Sequence, residues 1–206
     1  MSDLPPVTTH EWTHLPDADH IAAIRSNPAR YSRGGLVHLV LEVVAYPVDE
    51  AESGTTDRVL VTLHGDGSIS VEDNGRGTNV FFDEHGLPMV KPIMATRDVR
   101  FFDNPDAEVL PDGLPRTGMS VVAALSTWLI HENRRLDGAW TRRYEHGLPE
   151  TALTEVEAGR RTGTVVHFRP DPDVFGDQPL TADELRPLLA AFRTAATIEL
   201  GTQPSG

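Results

Sequence analysis

Asp66-Gly67-Ser68-Ile69-Ser70-Val71-Glu72-Asp73-Asn74-Gly75-Arg76-Gly77 is the stretch on which the fold is decided. Its first half is a strand, because Ser68 to Glu72 alternates apolar and polar residues with period two. The same alternation runs through Arg58-Val59-Leu60-Val61-Thr62-Leu63-His64 just upstream. Gly65-Asp66-Gly67 joins the two runs and supplies the positive-φ residues that a tight hairpin turn requires. The second strand ends on a carboxylate, Asp73, followed at once by the glycine-rich turn Asn74-Gly75-Arg76-Gly77. A carboxylate held at a strand end beside flexible backbone is the kind of group that fixes the polar edge of a flat ligand.

Working outward, Gly34-Gly35 opens a helix over Leu36 to about Ser53, with Leu36, Leu39, Val40, Val43, Val44 and Val48 at helical spacing. Pro47 within it has no N–H for the Val43 carbonyl and is expected to bend or locally open the helix. A shorter helical pattern runs from Asp17 to Ser26 and stops at Asn27-Pro28. Downstream, residues 78–117 are rich in Pro, Gly, Asp and Asn, with one helical candidate around Val90 to Thr96. A helix starts at Gly118 and a hairpin turns at Leu136-Asp137-Gly138. Strands follow near Ala152 to Glu157 and over Thr162 to Arg169, then a helix from Ala182 to Thr194 capped by Thr181, and a last strand from Ala196 to Leu200. Helices interleaved with antiparallel hairpins predict an α/β two-layer sandwich, a mixed, largely antiparallel sheet with helices on one face. Residues 1–16 read as an N-terminal arm and 17–206 as a single domain.

Composition narrows the function. Hydrophobic residues make up 39% and charged residues 24%, as in a soluble globular protein. No apolar run reaches the length of a membrane span, and the N-terminus lacks the apolar core of a signal peptide, so a cytoplasmic location is expected. Cysteine is absent, which excludes disulfides, thiolate metal sites and a cysteine nucleophile. Asp and Glu number 31 against 18 Lys and Arg, for a net charge of −13. The arginine pairs at 134–135, 142–143 and 160–161 form no basic stripe, so direct nucleic-acid binding is not expected. His10, His14 and His20 fit no ligand spacing, and no metal site is assigned.

The ordered motifs resemble the ATPase domain of the B subunit of DNA gyrase, a member of the GHKL (Bergerat-fold) superfamily. Gly35-Leu36-Val37-His38-Leu39-Val40-Leu41-Glu42-Val43-Val44 with Asp49-Glu50-Ala51 matches its first motif, and residues 66–77 match the second almost throughout. Gly118-Met119-Ser120-Val121-Val122-Ala123-Ala124-Leu125-Ser126, Tyr144 to Pro149 and Thr162 to Pro170 follow in family order, so the likeness runs from about Asp17 to Leu200. The long transducer and topoisomerase segments of gyrase B have no counterpart here, and strand passage is not expected.

The resemblance implies that Asp73 accepts the exocyclic amine of adenine, that Thr164 holds Asp73 or a bridging water, and that Gly75 and Gly77 let the backbone come close to the ring. It implies that Glu42 is the general base and that Arg76 and Arg135 border the pocket. Other positions depart from the family. Ala45-Tyr46-Pro47 stands where the family has Asp-Asn, whose Asn ligates Mg²⁺. Asp98-Val99-Arg100-Phe101 and Gly113-Leu114-Pro115-Arg116-Thr117-Gly118 replace the glycine-rich phosphate loop. Pro115 removes an N–H donor, while Arg116 or Arg100 offers a cation to an anion. Gly118 keeps the start of the following helix.

The reading is therefore a small-molecule-binding GHKL protein that takes ATP or another adenine nucleotide. Its Mg²⁺ and phosphate motifs are altered, and hydrolysis is lost or weakened. Two alternatives stay open. One is a repurposed enzyme in which Glu42, Tyr46 and Asp73 act as acid/base groups. The other is a decoy or self-resistance protein that binds gyrase-type inhibitors. A protein partner or a homodimer is compatible with either.

Overall fold

The computed structural model describes residues 16–78, 80–82, 88–90, 93–157, 159 and 161–204. The arm expected over residues 1–16 lies outside this set except for Pro16.

Helix α1 (Ala18–Ser26) is capped by the Asp17 side chain, which accepts from the His20 N–H, and it ends at Asn27 as the sequence predicts. The Asn27-Pro28 signal also begins a further short helix, α2 (Pro28–Tyr31), since proline is suited to the first helical position. Helix α3 (Gly35–Glu52) then runs for 18 residues straight through Pro47. Of the bend or local opening expected at Pro47, the opening does not occur: the helix is continuous there. A helix-interior proline costs about 3 kcal/mol. Here Leu39, Val40, Val43, Val44, Val48 and Ala51 are all buried, and packing of that face decides the matter.

Strands β1 (Arg58–His64) and β2 (Ile69–Asp73) form the predicted hairpin. The variable stretch that follows contains a separate two-stranded ribbon of β3 (Val80–Phe82) and β4 (Pro88–Val90). The helical candidate at Val90 to Thr96 is not a helix: Val90 ends β4, residues 93–96 turn, and 91–92 lie outside the described residues.

Next come α4 (Met119–Ala124), β5 (Ser126–Arg135) and β6 (Gly138–Glu145), the last two joined by the predicted hairpin. The two-residue strand β7 (Leu148–Pro149) follows, and the strand read near Ala152 to Glu157 is only the two-residue β8 (Thr154–Glu155). Strand β9 (Gly163–Pro170), helix α5 (Pro172–Phe175), helix α6 (Ala182–Leu189) and strand β10 (Thr197–Gln203) complete the chain. Helix α6 begins in a capping box of Thr181 and Glu184 but ends well before the predicted Thr194. Its buried anchors are Leu185 and Leu189, and the chain turns once Leu189 is seated.

The main sheet has eight strands in the order β10-β1-β2-β9-β5-β6-β7, with β8 on β6. Only β1 and β10 are parallel. Val59, Val61, Leu63, Ile69, Val71, Leu129, Val166 and Phe168 point to one face, where they pack with α1, α3, α4 and α6 in a single core. His64, His167 and Trp128 sit on the other, with successive ring centroids 4.7 and 4.9 Å apart. This is the predicted α/β sandwich, of the GHKL type.

Candidate functional site

One side of α3 is polar at helical spacing within an otherwise apolar helix: His38, Glu42, Tyr46, Asp49 and Glu50. That stripe organises the site. Between α3 and the inner face of β2, β9 and β5 lies a cavity of about 300 Å³. Val43, Val71, Met94, Met119 and Val166 give it apolar walls, and its size is at the lower end of the range for small-molecule pockets, roughly 300–1,000 Å³.

Asp73 is the polar anchor of the cavity. The Gly75 N–H donates to its Oδ1 at 2.8 Å, and the Thr164 N–H at 3.3 Å and the Thr164 hydroxyl donate to its Oδ2. Burial pushes the Asp73 carboxyl above the usual range, and those three donors pull it back toward ionisation. The closeness of β2 and β9 here depends on Gly163, where an added Cβ would lie 1.9 Å from the Asp73 carbonyl oxygen. Gly77 lines the cavity too, but the close approach it permits is to β5: an added Cβ would meet the Arg134 carbonyl and the Asn133 side chain at 2.6 Å. Asn133, buried on β5, accepts from the Thr78 N–H at 2.8 Å and donates to the Thr78 carbonyl at 2.9 Å, which fixes the turn after Gly77. Arg76 stands on the rim and pairs with Glu50 at 3.1 Å.

The opposite end is closed by residues 98–117. Arg116 is buried outright. Its Nη1 donates to Asp49 at 2.9 Å and to Glu108 at 3.0 Å, and its guanidinium lies 3.8 Å over the Phe101 ring and 4.8 Å over Tyr46. Its Nε and Nη2 have no hydrogen-bond partner among the described residues. Burial alone would lower the Arg116 pKa, but nearby carboxylates, Asp49 first by charge and hydrogen bond and then Glu42, oppose it, and the net shift is upward. Arg100, which lines the cavity, forks onto Asp98 at 2.8 and 3.1 Å. His38 meets Asp112 at 2.7 Å, tying the same segment to the start of α3.

Glu42 does not line the cavity. It is fully buried, and its two oxygens accept from the Thr117 and Gly118 N–H groups at 2.7 Å each. Burial pushes its carboxyl up, against the pull of those amides, Arg116 and His38. In this arrangement both oxygens of the residue read as a general base are engaged by backbone amides just before α4. Tyr46 does reach the cavity; its hydroxyl accepts from the Met119 N–H at 3.3 Å and donates to Asp98 at 3.4 Å. Burial pushes its phenol up, so it stays neutral at physiological pH and acts as a hydrogen-bonding group.

Of the residues singled out from the sequence, Tyr46, Asp73, Gly75, Arg76, Gly77, Arg100 and Thr164 meet around the cavity. Glu42, Arg116, Gly118 and Arg135 do not line it; Arg135 packs its stem against Gly77 and pairs with Asp137 at 3.0 Å. Two inward residues of β5, His131 and Asn133, were missed. Their signal was the period of two that puts them on the face of Leu129. Among the described residues no group of three or more His, Asp or Glu side chains is placed to hold a metal ion. Both Glu42 oxygens accept from amides, and one Asp49 oxygen accepts from Arg116. No helix among the described residues is long and apolar enough to cross a membrane.

The DNA gyrase B protein of Thermotoga maritima is 38% identical to this chain over 167 residues, 79% of the chain and 26% of the relative. The domain is gyrase B-like. The DNA gyrase B protein of Haloferax volcanii is 40% identical over 165 residues, covering 75% of the chain and 26% of that protein. The DNA topoisomerase 4 B protein of Staphylococcus epidermidis is 37% identical over 160 residues, 75% of the chain and 24% of that protein. The gyrase B-like chain thus spans about a quarter of the length of these relatives. No protein-family model matches it.

Proposed function

We propose that this gyrase B-like domain binds an adenine nucleotide or an adenine-like ligand at Asp73 and Thr164, and that it hydrolyses ATP weakly or not at all. One contrast carries the reading. The Asp73 cup is fully built, with a carboxylate held by three donors in an apolar-walled cavity. At the far end, bounded by Tyr46, Asp49 and Arg100, Asp49 is held in an ion pair by the buried Arg116, which also pairs with Glu108. Phosphoryl transfer needs positioned cations and an activated water. Here the cation already has carboxylate partners and the Glu42 oxygens already have donors. What remains for the residues at the other end is recognition. Asp73 accepts from an exocyclic amine, Val43, Val71 and Val166 enclose a flat ring, and Tyr46 and Arg100 bound the far side.

Calorimetric titration of adenosine into the wild type and Asp73→Asn tests the reading. Losing the charge-assisted acceptor weakens binding at least about tenfold, a difference of about 1.4 kcal/mol. Equal affinity in the two proteins would remove Asp73 from the site.

A further inference from the structure

We infer that His131 is a second polar anchor of the cavity, a specificity-determining residue whose ring nitrogen contacts the in-plane edge of a bound nitrogen heterocycle. The inference extends the adenine-like reading of the same cavity by naming the ligand edge that the residue selects.

His131 lies in the middle of β5, in register with Val166 of β9 and Arg142 of β6. The face it shares with Leu129 and Asn133 is the inward one. Leu129 packs in the core and Asn133 is used up on the Thr78 backbone, whereas His131 lines the cavity together with Val71, Thr164 and Val166. It is only 5% exposed, and no hydrogen bond, ion pair or ring contact among the described residues engages it. Buried polar groups are normally partnered, and one left open on a cavity wall is a group that a ligand completes. Burial pushes its imidazole down to about 4. At physiological pH the ring is therefore neutral and offers one donor and one acceptor.

Asp73 and His131 make different demands. Both Asp73 oxygens already accept from the surrounding donors, and as an acceptor Asp73 selects an N–H or NH₂ edge. A neutral His131 selects a second in-plane nitrogen or N–H on the same molecule. Purines and aminopyrimidines present both edges; an aromatic hydrocarbon or a phenol presents at most one. A site that loses a buried hydrogen bond discriminates strongly against the analogue that cannot make it. The ligand class is thus a flat amino-heterocycle with at least two polar in-plane positions, and no phosphate is required for its recognition.

The test uses the full chain with ¹⁵N-labelled histidine and backbone amides. Adenosine is titrated first, then 2-aminopyrimidine, 3-aminopyrazole and indazole, with the Thr164 and Val71 amides reporting occupancy. Expected is movement of the His131 ring resonances in step with Thr164, and about tenfold weaker binding by His131→Leu of the same fold by circular dichroism. Saturation of Thr164 and Val71 with the His131 ring unmoved would overturn the inference, as would unchanged affinity of His131→Leu, meaning that water alone serves the ring. If adenosine leaves Thr164 unmoved while an amino-heterocycle moves both reporters, the adenine reading falls and the His131 inference stands. If none of the four probes moves Thr164, both fall.

Discussion

Arg116 and His131 are two polar groups that the fold takes out of water in opposite protonation states. Arg116 keeps its charge because Asp49 and Glu108 share it and two aromatic faces cover it. His131 has no such partner and stays neutral. The consequence for stability has a definite sign. Its pKa falls from 6.5 to about 4 on folding, so the unfolded chain binds the proton more readily across that window. The contribution to stability is complete above about pH 6.5 and is lost as the pH drops toward 4, by about 3 kcal/mol in all. Denaturant unfolding of His131→Leu from pH 7 to pH 4 should therefore show a shallower acid-side loss than the wild type. Parallel curves would mean that His131 titrates normally in the folded protein. Asp73, Thr164 and the identity of Arg116 were legible in the sequence because they stand in or depart from an ordered motif. The partners of Arg116 were not, since they become neighbours only when residues 98–117 fold back on α3. The position of Glu42 was likewise readable, but not that two backbone amides would claim both of its oxygens.

Among the elements, α3 is the backbone of the site, and its polar stripe acts as a row of attachment points. His38 holds Asp112, Glu42 holds Thr117 and Gly118, Tyr46 meets Asp98 and Met119, Asp49 holds Arg116, and Glu50 holds Arg76. Segment 98–117 is thus fastened to one helix near both of its ends. Arg116→Ala removes the innermost fastening, while the freed Asp49 and Glu108 side chains, 39% and 60% exposed, can rehydrate. Amide hydrogen exchange in residues 108–117 should then speed up at least about tenfold, with β1, β2 and β9 unchanged. Unaltered exchange in that segment would show that Arg116 is not what holds it. The strands around Asp73 were readable from their alternation and the Gly-Asp-Gly turn. Pro47 does not open the helix, because the lost N–H bond is outweighed by the apolar residues buried along it. The stretch from 78 to 117 gave no clear pattern because ion pairs and aromatic stacking, more than periodic burial, hold its later half in place.

For the molecule as a whole, a GHKL-type sandwich and 36–40% identity to gyrase B and topoisomerase 4 B proteins coexist with a buried Arg116 ion-paired to Asp49. On the proposed reading the pocket is divided in two, a recognition end around Asp73 and a far end where Asp49 is held by Arg116. Phosphates should then add nothing to binding. Calorimetric titration of ATP and of adenosine, each with and without Mg²⁺, measures this directly. Expected are affinities within a few-fold of one another and indifferent to Mg²⁺. ATP binding a hundredfold tighter than adenosine, about 2.7 kcal/mol, and only with Mg²⁺ present, would contradict that division.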